Sequence, residues 1–261
     1  MLGSVGGFLA GLLGIGGGMI LIPFLMFILA FNGIPHDYLV KVAIATSLAS
    51  ILFTSASSLR AHNKTGAVRW DVVKVLAPGI VVGSILGAQV AGWISNRVLE
   101  ATFGIFLSYT ATRMLRTQPA PVGAPAAPRA LPGAGGMLAM GGLIGGVSAL
   151  VGAGGGFLTV PFLTGRQVQI RNAVATSAAC GFPIALAGAM GYIWAGRHLS
   201  LAPGTLGYIY VPGLLCLAAA SMSTAPIGAR LAHTMPTGRL RRIFAVVLYA
   251  MAGYMLYKAL S

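Results

Sequence analysis

Two stretches of this chain repeat one pattern. Residues 7–25 read GFLAGLLGIGGGMILIPFL and residues 145–163 read GGVSALVGAGGGFLTVPFL, identical at nine of nineteen positions. The shared positions include Gly14, Gly16–Gly18 and Pro23-Phe24-Leu25, against Gly152, Gly154–Gly156 and Pro161-Phe162-Leu163. Each copy is an apolar run interrupted in the middle by glycines, every one of which weakens a helix by about 1 kcal/mol relative to alanine. A helix broken inside hydrocarbon is tolerated only where the freed backbone is buried in protein or lines a cavity. The pattern therefore demands surroundings that cover two breaks, one in each half of the chain.

Those surroundings are a bilayer. The 261 residues are 57% hydrophobic and 8% charged, with a mean hydropathy of +0.87, whereas an average soluble domain is about 25% charged. Eight apolar segments stand out, at roughly 4–31, 39–59, 72–95, 98–116, 134–163, 172–196, 205–232 and 240–260. Most exceed the ~20 residues that a spanning helix needs. The N-terminal run lacks the basic start of a secretory signal, and its pattern returns at residue 145 within the fold. An all-α, polytopic integral membrane protein is expected, multi-pass in the cell inner (plasma) membrane.

A net charge of +14 would suggest nucleic acid in a soluble protein. Here the basic residues sit mainly in short loops between apolar runs, where lipid headgroups and topology account for them. No nucleic-acid partner is expected. Cys180 and Cys216 both lie inside apolar segments, which suits packing and rules against a disulfide framework.

The repeat continues past its opening motif. Lys41-Val-Ala-Ile-Ala-Thr-Ser47 matches Arg171-Asn-Ala-Val-Ala-Thr-Ser177, Pro78-Gly79 matches Pro212-Gly213, and Leu99 and Phe103 fall on Leu240 and Phe244. Between the copies lies QPAPVGAPAAPRALPG, a semi-rigid linker unsuited to helix. The expected division is a first membrane repeat at 1–117, the linker at 118–133 and a second repeat at 134–261.

The positive charges discriminate between two topologies. If all eight segments cross, the basic residues divide nine to eight between the faces, which is no bias at all. If each glycine-broken segment instead enters and leaves on one side, each repeat has three crossings and the second is inverted relative to the first. The loops at 60–74, 113–133, 164–171 and 230–242 then share a face with thirteen basic residues, and only Lys41, Arg97, Arg197 and Lys258 lie opposite. Two inverted repeats, each a re-entrant pair of half-helices plus three spanning helices, are the preferred reading, with half-helices too short to span. Eight plain spans remain the competitor.

The GxGGGxxxxPxL segments at Gly14–Leu25 and Gly152–Leu163, together with the Ala-Thr-Ser runs at 45–47 and 175–177, resemble the sulfite exporter TauE/SafE family over nearly the whole chain. That resemblance implies a permease for sulfite, an organosulfonate or a related small anion. It leaves the particular anion open.

The residues suit an anion on their own account. A broken helix presents backbone N–H groups and the positive end of its dipole to the gap, an anion site that needs no charged side chain. Gly16, Gly17, Gly18, Gly154, Gly155 and Gly156 would let a ligand approach the backbone, and close helix packing is the competing use of such glycines. Thr46, Ser47, Thr176 and Ser177 offer hydroxyl donors and Asn172 an amide, although Ser and Thr in membrane helices often bond their own i−4 carbonyl. Lys41 and Arg171 occupy equivalent places and could draw anions in, or simply snorkel at helix ends. Cys180, four residues after Thr176, shares its helix face. Transport of an amino acid, a carboxylate or a metal cation is the alternative. No HExxH, GxSxG or CxxC pattern supports an enzyme, a metal site or a cofactor. The only carboxylates, Asp37, Asp71 and Glu100, stand at loops or segment ends, so proton coupling through a central acidic residue is not expected.

Overall fold

Glycine and proline placement sets the helix ends. A computed structural model describes residues 18–64, 66–116, 131–199, 201–219 and 237–260. Helix α1 (Gly18–Phe31) follows the first glycine cluster and is 14 residues long. A 3-10 turn at His36–Tyr38 leads into α2 (Leu39–Lys64), which ends just before Gly66 at φ +64°. Then come α3 (Trp70–Trp93) and α4 (Asn96–Arg116). After the linker, most of which lies outside the described residues, run α5 (Ala134–Val151), α6 (Gly156–Thr164) and α7 (Ile170–Ala195). A small antiparallel hairpin, β1 (Thr205–Leu206) and β2 (Ile209–Tyr210), precedes helix α8 (211–219) and the closing helix α9 (Thr237–Leu260).

The hairpin occupies the start of the apolar segment marked from sequence at 205–232. Gly204 and Gly207 both adopt positive φ, +83° and +58°, which breaks the helical run. Pro78, Pro161 and Pro183 lie inside α3, α6 and α7. Each removes one rung of its helix, a loss that neighbouring helices make good inside a bilayer.

The contacts fix the helix directions. Leu48 of α2 meets Gly188 of α7, and Ser55 meets Gly181, so these two central helices run antiparallel. Arg69 reaches Thr176 near the start of α7, while Gln89 Nε2 donates to the Gly191 carbonyl at 3.0 Å near its end, so α3 runs parallel to α7. Helix α5 also runs parallel to α3, with Gly141 against Leu76, Gly145 against Ile80 and Gly87 against Gly146. This contact is backbone on backbone. Cβ atoms built on Gly79, Gly83, Gly141 or Gly145 would overlap carbonyl oxygens of the facing helix, the close approach that small residues permit in membranes. A second pair, α4 and α9, packs at the side, where Phe106 of α4 meets Phe157 of α6 edge-on with centroids 4.6 Å apart.

Because α5 and α7 point the same way, the chain between them must return to the end of the bundle where α5 began. The nine residues of α6 and the turn after them make that return. The expectation of half-helices too short to span holds for α6 and for the 14-residue α1, but not for α5. At 18 residues α5 is about 27 Å long, and it is one of four helices among the described residues long and apolar enough to cross a membrane, with those at 36–64, 70–93 and 171–195. The outer faces agree with a lipid setting: Phe31, Trp93, Trp194, Tyr257 and Leu260 are all strongly exposed.

Candidate functional site at the second helix break

The break between α5 and α6 is built from positive-φ glycines and doubled backbone bonds. The amides of Gly152 and Ala153 both donate to the Ser148 carbonyl, closing the end of α5 with Gly152 at φ +63°. Gly155, at φ +74°, opens α6, and its carbonyl accepts the amides of Leu158 and Thr159. The first amides of α6 have no partner within their own helix and carry the positive end of its dipole. The lining is more apolar than the glycine pattern suggested. Ile22 and Ile44 press on Gly152, Ile51 on Gly154, and Ile184 on Gly155, where a Cβ would also come within 3.2 Å of Ser148 Oγ.

The residues expected to bind a ligand do not form one cluster. Gly16 and Gly17 lie outside the described residues, and Gly18 is the first residue of α1. Thr46 and Ser47 are fully buried on α2. Thr46 Oγ1 accepts the backbone N–H of Tyr210 at 3.0 Å, and Ser47 Oγ donates to the Gly152 carbonyl at 3.4 Å. Thr176 is fully buried on α7 and accepts the backbone N–H of Arg69 at 3.1 Å. Each threonine thus holds the chain just before or at the entry of a helix in the other half. Given the antiparallel register of α2 and α7, Thr176 stands opposite residue 60, fourteen residues or about 21 Å along the axis from Thr46. One small anion cannot touch both.

Ser177 is buried, Asn172 half-buried in the first turn of α7, and Arg171 exposed. Cys180 is fully buried, one residue before Gly181, which meets the Gly154 carbonyl. Lys41 is engaged within the protein. Its side chain is buried and Nζ donates to the Gly92 carbonyl at 2.8 Å, in the last turn of α3, where a cation complements the negative end of the helix dipole.

Other polar groups were missed from the sequence. Tyr192 is fully buried on α7 and its hydroxyl donates to the Ala149 carbonyl at 3.0 Å, one residue past Ser148. Ser148 Oγ on α5 and Thr159 Oγ1 on α6 flank the break, both fully buried and without a hydrogen-bond partner. A signal existed in the repeat: these positions carry Ala10 and Leu21 in the first copy. Glu100 stands near the start of α4, as its place at a segment end suggested, and is also buried. It is 2% exposed, lies 3.6 Å from Lys258 Nζ on α9 and accepts a bond from Asn96 Nδ2 at 3.2 Å.

A bundle of long apolar helices, one of them broken by glycine at its core, defines a helical integral-membrane protein. Comparison with known families makes the assignment specific. The family described as sulfite exporter TauE/SafE matches residues 1–255, and the chain belongs to that family. It is 34% identical to a "Probable membrane transporter protein" of Haemophilus influenzae, over 99% of this chain and 97% of the relative. It is 27% identical to proteins of the same description from Methanocaldococcus jannaschii and Bacillus subtilis, covering 98% and 100% of this chain and 93% and 97% of theirs. No solved structure matches the chain.

Proposed function

We propose that this protein is a permease of the inner membrane that moves a small oxyanion, sulfite or an organosulfonate, past the glycine-broken helices at the centre of the bundle. The observation that carries the reading is the return of the chain at Gly152–Gly155, which sets the amide end of α6 against the central α2–α7 pair. An amide end is an anion site that holds without a fixed cation and so releases readily. The antiparallel packing of α2 on α7, which carry the two Ala-Thr-Ser runs, supports two inverted repeats, the arrangement in which solute sites fall at broken helices near the midplane. The membrane potential supplies a driving force. One negative charge leaving a cell held at about −100 mV gains ~2.3 kcal/mol.

The test is efflux from proteoliposomes. Purified protein should release sulfite from the lumen, faster when a potassium–valinomycin potential makes the lumen negative than at zero potential. Absence of flux for sulfite and for simple sulfonates at every potential would overturn the reading.

A further inference from the structure

We propose that the hydroxyls of Ser148 and Thr159 are the side-chain donors that bind the oxyanion at the α5–α6 break, and that the threonines of the two Ala-Thr-Ser runs are structural. The inference rests on the permease reading and assigns its contacts. A fully buried hydroxyl without a partner costs about 1–3 kcal/mol, and two such groups stand on either side of one break. Ser148 Oγ lies beside Gly155, the residue that opens α6. Thr159 is in the first full turn of α6, and helical side chains lean toward the N-terminus of their own helix, which aims its hydroxyl at the same amide end.

The glycine motif recurs without them. The first copy keeps the glycines and the proline but carries Ala10 and Leu21 at these two positions. The two hydroxyls are therefore particular to the second copy of the motif. Thr46 and Thr176, by contrast, are occupied with the amides of Tyr210 and Arg69, and Ser47 with the Gly152 carbonyl. An oxyanion with two or more acceptor oxygens would take one bond from each of Ser148 and Thr159 while facing the α6 amides. A cation would have only hydroxyl and carbonyl oxygens, with no carboxylate anywhere in the second half of the chain.

Binding of sulfite to full-length protein in detergent, followed by calorimetry, tests this. Ser148→Ala, which installs the first copy's own residue, and Thr159→Val should each weaken binding about tenfold, a loss of roughly 1.4 kcal/mol. Thr46→Val should retain wild-type affinity while lowering the melting temperature. Gel-filtration profiles matched to wild type identify the folded variants, and Ser148→Ala reports on the site even if Thr159→Val misfolds. Wild-type affinity in both Ser148→Ala and Thr159→Val would overturn the assignment and leave the permease reading standing. So would a wild type stabilised by sodium over choline chloride whose stabilisation, and not its sulfite binding, is lost in Ser148→Ala and Thr159→Val. A wild-type protein that binds no sulfite or sulfonate would sink both.

Discussion

Glu100 and Lys258 join α4 to α9 across a buried contact, and their energetics follow from that burial. Removing one partner of a buried pair strands the other charge, a change that costs on the order of 3 kcal/mol. Lys258→Met should therefore lower the melting temperature of detergent-purified protein by several degrees. Glu100→Gln combined with Lys258→Met should recover most of the loss, because neither residue is then charged. A melting temperature unchanged by Lys258→Met would show that the pair contributes nothing. The sequence showed where these residues stand but not this pairing, since burial of Glu100 depends on a helix that arrives near the end of the chain. The threonines teach the same lesson. Their place in a repeated motif was plain, but their partners are backbone amides of Tyr210 and Arg69, which no side-chain pattern reveals.

At the scale of elements, local rules carried further. Gly152 and Gly155 were picked out because glycine breaks a helix, and both adopt the positive φ that glycine alone accepts readily. The length of α5 was misjudged because the break was placed near the middle of the segment, whereas it falls after 18 residues and leaves nine for α6. The stripe of Gly79, Gly83 and Gly87 on α3 has its counterpart in Gly141, Gly142, Gly145 and Gly146 on α5. Gly83→Leu should force the two helices apart and abolish the monodisperse peak in detergent gel filtration, while Gly135→Leu, at a position with open space around it, should leave the peak in place. A monodisperse Gly83→Leu protein would mean that α3 and α5 can separate without unfolding.

The whole molecule is governed by which ends of the helices share a face. With α3, α5 and α7 parallel and α2 antiparallel to them, the 60–74 and 164–171 loops lie at one end of the bundle. That agrees with the face to which the charge count assigns thirteen basic residues. In a background with Cys180 and Cys216 replaced, single cysteines in the 60–74 and 230–242 loops should both be shielded from an impermeant thiol reagent in intact cells. Labelling of one loop and not the other would restore eight plain spans. The glycine contact between α3 and α5 has a mechanical consequence. Helix α3 belongs to the first half of the sequence and α5 to the second, but their backbones touch at the glycines, with only small side chains such as Ser84 and Ala149 beside them. A transport motion that keeps this contact would carry both helices as one lever, so its moving parts would not coincide with the two halves of the sequence.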